Sequence, residues 1–358
     1  MQNKEKNLFL NLCSFKHNNQ HELELLLQQG AATPCVLGYI FSNRMPAVAY
    51  GVLKNHHLLT YLDREFKNSL KNAYLQNIQK NESFFKSLYW LSDLLQTHKG
   101  KYAFLKGAWL CQWYPKGYRT SNDVDILVAA NDVTDIGITL SKAGFKQGYL
   151  KNENFVPATR AEIIASKMLR GETVPYIKQV DLPFMKYFEV DINFSLDYKT
   201  SDPNTVSELL YRAVEVQNAK APIVILDRYD FLIHLCSHLY KEATTYPWVE
   251  MHRDMTLYKF CDLYALLSEF EEQDYFSLFK RAEEMDMQNI CYFALYMTKE
   301  LFDIHSEPLA RCLKYMCTDP KILDLVINPS EKKRYSYQEK NIKNRFFSED
   351  RKSLLKEV

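Results

Sequence analysis

Residues 113–128 read WYPKGYRTSNDVDILV, and the second half of that stretch decides the fold. Pro115 and Gly117 make a turn, after which the pattern becomes that of a strand: Val124, Ile126 and Val128 share one side, Asp123 and Asp125 the other. Two carboxylates two residues apart on one face repel each other unless a cation lies with them. At neutral pH a divalent metal held by both is the simplest balance. The same split recurs in YFEVDINFSL, residues 187–196, where Phe188, Val190, Ile192 and Phe194 alternate with Glu189, Asp191 and Asn193. Asp191 therefore offers a third carboxylate from the polar face of a separate strand, with Glu189 and Asn193 as the fallback candidates beside it.

Outward from these strands, KYAFL (101–105) reads as a short strand and GAWLCQWY (107–114) as a helix, with Lys106 and Gly107 at the turn between them. A residue without Cβ at such a turn lets backbone N–H groups approach phosphate oxygens, and Arg119, four residues before Asp123, can reach the same phosphates. NDVTDIGITLSKAGF (131–145) makes a helix capped by Asn131 or Asp132, with Gly144 near its end. Helical periodicity dominates from Glu22 to about His98, in LELLLQQG closing on Gly30, in the charged segment 59–81, and in FFKSLYWLSDLLQTH (84–98). It returns after about Ser207 in YDFLIHLCSHLYKEA, LYKFCDLYALLSEF and YFALYMTKELFDI. The pattern predicts an α+β protein with a helical region over 1–98, a catalytic core over 99–203 and a second helical region over 204–358. Three converging acids on that core describe a two-metal site for phosphoryl transfer.

The 358 residues are 47% hydrophobic, enough for a substantial core, and 45 Lys plus Arg against 44 Asp plus Glu exclude a global field that would draw in nucleic acid or an anionic membrane. No stretch reads as a membrane span or a cleaved leader, which predicts a cytoplasmic protein. The eight cysteines lie scattered in apolar surroundings without a CxxC pair, the pattern of reduced core thiols, and Cys312 and Cys317 have no second ligand pair near them. His234 and His238 stand at i and i+4, but Leu235 occupies the place of the acid in an HExxH zinc motif, so structural or nucleotide-contact roles come first. Trp109, Tyr246 and Trp248 could stack on a base, though core packing is the ordinary role of such residues. The last segment, 331–358, mixes basic residues with Tyr335, Tyr337, Phe346 and Phe347; it could contact RNA, and its expected state is a solvated, partly frayed helix.

Taken together, FLKGAWL (104–110), WYPKGYRTSNDVDILV and FEVDINFSL (188–196) resemble the uncharacterised nucleotidyltransferase family of the polymerase-beta-like superfamily, with its KGA turn, its R-x-x-x-D-x-D-hydrophobic-V run and a third strand carrying a polar residue. The likeness extends weakly into the N-terminal helices and into the block where His234, His238 and Asp262 match recurring positions. The resemblance implies a small mixed β-sheet nucleotidyltransferase core flanked by N- and C-terminal helical segments. It also implies transfer of a nucleoside monophosphate from an NTP to an unidentified acceptor (a small molecule, a protein or RNA), with release of pyrophosphate. Asp123 and Asp125 would hold two Mg2+ ions, and Asp191 would complete the site and take the acceptor's proton. Gly107 would cradle the triphosphate, with Lys106, Arg119 and Ser121 in the phosphate-binding set. The broader superfamily has Gly-Ser at the phosphate turn, whereas Ala108 follows Gly107 here, which removes a hydroxyl. The competing expectations are a catalytically inactive binding or antitoxin-like protein, and a toxin-type enzyme modifying tRNA or protein.

Overall fold

The computed structural model describes residues 1–169, 171–196, 203–216 and 223–358. They fall into two compact units, one made of Met1–Tyr74 with Leu232–Val358 and the other of Leu75–Phe231. The chain opens with four helices, α1 (Asn3–Cys13), α2 (Gln20–Gln28), α3 (Pro34–Ser42) and α4 (Pro46–Asn55). In α1, which falls within the expected helical region, Leu8, Phe9, Leu12 and Cys13 are fully buried. Next comes α5 (Arg64–Leu95), a single helix of 32 residues where two helices were expected. No glycine or proline interrupts residues 64–95, so nothing in the backbone stops it.

The second unit contains β1 (Tyr102–Phe104), α6 (Gly107–Trp113), β2 (Asp123–Val128), α7 (Val133–Lys142), β3 (Lys146–Lys151), β4 (Asn154–Pro157), α8 (Arg160–Leu169), β5 (Tyr176–Leu182), β6 (Met185–Asn193), α9 (Pro203–Arg212), β7 (Val214–Val216) and β8 (Ile223–Ile225). Its eight strands form one mixed sheet in the order β4-β3-β5-β6-β2-β1-β8-β7. The expected α+β class holds. The connection between α7 and β6 supplies three strands and a helix.

One face of the sheet is dry. Val124, Ile126 and Val128 of β2 and Phe188, Val190 and Ile192 of β6 are fully buried against Phe84, Leu88, Leu91 and Leu95 of α5 and Ile136 and Leu140 of α7. Each such side chain removed from water contributes about 1.5–3 kcal/mol. That face fixes β2 and β6 side by side in parallel register and turns their acids to the other face.

The first unit continues with α10 (Arg228–Ala243), which starts at the end of the second unit, then α11 (Tyr246–Glu250), α12 (Leu257–Leu267), α13 (Glu272–Glu284), α14 (Gln288–Phe302), α15 (Glu307–Met316), β9 (Leu325–Asn328), β10 (Lys333–Tyr337), α16 (Ile342–Phe346) and β11 (Leu355–Glu357). The last segment is thus neither frayed nor one helix: β10 pairs with both β9 and β11, and Tyr337, Phe346, Arg345 and Arg351 are buried. Arg351 explains this, because it donates from Nε and Nη2 to both oxygens of the buried Asp254, at 2.9 and 2.7 Å. Among the described residues no helix is long and apolar enough to cross a membrane.

Candidate active site

Because β2 and β6 run parallel, their polar positions meet as rungs: Asp123 stands opposite Glu189, and Asp125 opposite Asp191. Four carboxylates therefore share one patch of the sheet face, and the third expected acid does come to the first two. Glu189, a fallback in the sequence reading, belongs to the same grid. A fifth acid, Glu172, reaches it through a bridge to Asn193 and adds to the repulsion on Asp191. Gly171 makes that bridge possible: its φ is 67°, and a Cβ there would collide with Ser195.

The electrostatics follow from the packing. Loss of water raises Glu189 to about 7, helped by repulsion from Asp123 and Asp125. Burial drives Asp191 well above the carboxylate range, with Asp125, Glu189 and Asp123 pushing the same way. Asp125 is buried, 8% exposed. Lys106 Nζ lies 3.2 Å from its Oδ1, and Asn193 Nδ2 donates to the same oxygen at 3.4 Å. Asp123 is half-buried and accepts from Ser121 Oγ at 2.8 Å. Among the described residues no three His, Cys, Asp or Glu side chains already converge as a metal centre. The donor chemistry nonetheless fits a divalent cation: hard oxygens, two facing rungs, and carboxyls raised by burial and by one another's negative charge.

The turn before α6 is unusual. Lys106 has φ 43° and ψ −115°, backbone that glycine adopts far more easily, and strain of this kind costs about 1–3 kcal/mol. It aims a long basic side chain at Asp125. Gly107 is required for a reason other than phosphate approach alone, since a Cβ there would stand 2.5 Å from Ser121 Oγ. Ala108 is fully buried in the core, and the hydroxyl that stands beside Gly107 is that of Ser121. Arg119 donates to the carbonyl of Thr120, within its own loop.

Residues without any motif hold that loop. On α5, Asn77 donates to Gly117 O at 3.1 Å, Asn81 donates to Arg119 O at 3.0 Å, and Lys80 contacts Asn122. Their spacing of three and four puts them on one helix face. That stripe is the signal the sequence offered.

Other expected candidates lie elsewhere. Trp109 packs edge-on against Phe231 at 4.9 Å, and Tyr246 stacks on Tyr335 at 4.8 Å. Trp248 is half-buried. In the first unit, His238 Nε2 lies 3.4 Å from Glu242, which also meets Lys259, while His234 and Asp262 are buried. None of the eight cysteines forms a disulfide, and Cys35 is exposed while Cys312 is buried.

The sequence model of a family described as "Uncharacterised nucleotidyltransferase" matches residues 31–303, about three quarters of the chain. The chain belongs to this nucleotidyltransferase family. The match takes in every member of the acid grid, the strained turn and its straps. No curated protein shows significant sequence similarity to the chain.

Proposed function

We propose that this family member transfers a nucleoside monophosphate from an NTP to an acceptor, releasing pyrophosphate, with two Mg2+ ions held by Asp123, Asp125 and Asp191. The observation that carries the reading is the pairing of Asp123 with Glu189 and Asp125 with Asp191 in one parallel register. Mg2+, when bound, stabilises charge spreading over the phosphorus and the leaving oxygen. Ser121 orients Asp123 by its 2.8 Å hydrogen bond. Lys106, strained into reach of Asp125, turns to the triphosphate once Asp125 has another counter-charge. Gly107 and Arg119 complete the phosphate side, and Asp191, opposite Asp125 on the neighbouring strand, takes the acceptor's proton. Eight cysteines that remain thiols support a reducing, cytoplasmic setting.

The Lys106–Asp125 contact favours a second reading, in which the amine replaces the cation permanently and the protein binds without turning over. Thermal unfolding with each of the four NTPs, with and without MgCl2, separates the two. The transfer reading expects Mg2+-dependent stabilisation by at least one NTP, about 2.7 kcal/mol at a hundredfold excess over Kd. Asp123→Ala should abolish it, and pyrophosphate should appear with the wild type alone once an acceptor is present. Stabilisation that ignores both Mg2+ and Asp123→Ala would establish the second reading.

A further inference from the structure

Next to the acid grid, within the same unit, lies a cavity of about 750 Å³ to which Glu189 contributes a wall. This is the size of a pocket for one small ligand. It opens on the β6 side of the acids, whereas Lys106 and Gly107 flank them from the β1 side. We infer that this cavity binds the acceptor, and that the acceptor is a small, uncharged or zwitterionic molecule with an aromatic or apolar body and a nucleophilic hydroxyl or amine. The inference rests on the transfer reading above. In that reaction the acceptor's oxygen or nitrogen bonds to the α-phosphorus as the bond to the bridging oxygen breaks. Pyrophosphate carries that oxygen's electron pair away, and the acceptor's proton passes to a carboxylate of the grid and on to water.

Two observations set the ligand class. The first is charge: Lys80 and Lys186 line the cavity together with Glu153, Asp181 and Glu189. Two basic groups against three acidic ones make no positive track for a nucleic-acid backbone. The second is Phe184, at the tight turn between Leu182 and Met185, directly after Pro183. Its φ is 55°, a conformation that this turn position ordinarily gives to glycine or asparagine. The ring is 55% exposed and lines the cavity, as does Tyr187, which projects on the same strand face as Glu189 two residues later. A bulky aromatic ring held exposed on unfavourable backbone, beside a second ring on the catalytic face, is a stacking platform for an apolar ligand.

The probe is N-acetyl-3-fluorotyrosinamide, a neutral aryl alcohol, followed by 19F line broadening against wild type, Phe184→Gly, Tyr187→Ala and Asp123→Ala. Saturable broadening is expected with wild type and Asp123→Ala, and at least tenfold weaker binding with each ring variant. Glycine suits the backbone at 184, so Phe184→Gly should melt no lower than wild type and keep its Mg2+-NTP shift, which rules out misfolding as the cause. Equal affinity in wild type and both ring variants, or no binding to wild type at millimolar probe, overturns the inference. So does a 20-nucleotide RNA that competes with the probe. If the Mg2+-NTP shift is absent while probe binding still depends on Phe184, the transfer reading fails and the cavity stands as a binding site. If the shift is present and both rings are irrelevant, the pocket assignment alone fails.

Discussion

Asp254 and Asp191 are both carboxylates withdrawn from water, and the chain treats them in opposite ways. Asp254 is fully buried, but Arg351 grips both its oxygens and Tyr337 lies 3.5 Å away, so burial raises its pKa while the guanidinium pulls it back. Asp191 has only acids among the groups that shift it, each reinforcing the effect of burial. The first acid is answered by the chain itself, 97 residues away, and belongs to the scaffold. The second is surrounded by its own charge, which is how a site that receives something from outside differs from one that is finished.

The contrast can be broken most forcefully at Asp191. Asp191→Asn should lower turnover at least about 1,000-fold, equivalent to about 4 kcal/mol of barrier, while the metal-free protein melts no lower because the amide replaces a buried carboxyl of the same shape that already holds its proton. A variant that melts several degrees lower would make Asp191 a structural acid like Asp254. Arg351→Ala should do the reverse. Leaving Asp254 buried and alone should cost about 3–5 kcal/mol in urea unfolding, and pairing Arg351→Met with Asp254→Leu should recover most of it. A small loss from the single change would show that the pair contributes little.

The smallest effect concerns pH. Glu189 has a folded pKa of about 7 against an ordinary 4.5, so the folded protein keeps a proton that the unfolded chain releases between those values. The stability this contributes is complete below about pH 4.5 and is lost as the pH rises through 7, by about 1–3 kcal/mol. Chemical denaturation of metal-free protein from pH 5 to 8 should show that decline, and Mg2+ should flatten it by supplying the missing positive charge. A metal-free curve that rises across this range would contradict the proposed charge crowding.

How much of this was readable in advance depended on whether a residue's role is local. DVDILV and YFEVDINF declare themselves, since alternation sorts each strand's faces without knowledge of its neighbour. Register is not in the alternation: that Asp123 meets Glu189, and Asp125 meets Asp191, follows only when β2 and β6 are laid in parallel. KQGYLK hides as a strand because its charges and Gly148 leave little apolar alternation. KRYSY, in a segment whose sequence points to a frayed helix, pairs as a strand instead because the group that receives Tyr337 lies far off in sequence. The continuity of α5 was legible, since an uninterrupted run free of glycine and proline was in plain view.

The helix stripe Asn77, Lys80 and Asn81 has a consequence for dissecting the molecule. The motif that identifies the chemistry begins at Phe104, so a shortened chain starting just before it looks sufficient on paper. It would lack the three side chains that hold the loop ahead of Asp123, and the four apolar residues from Phe84 to Leu95 that keep the sheet's dry face covered. The smallest autonomous piece therefore has to begin before Asn77, some thirty residues upstream of anything a motif search would select.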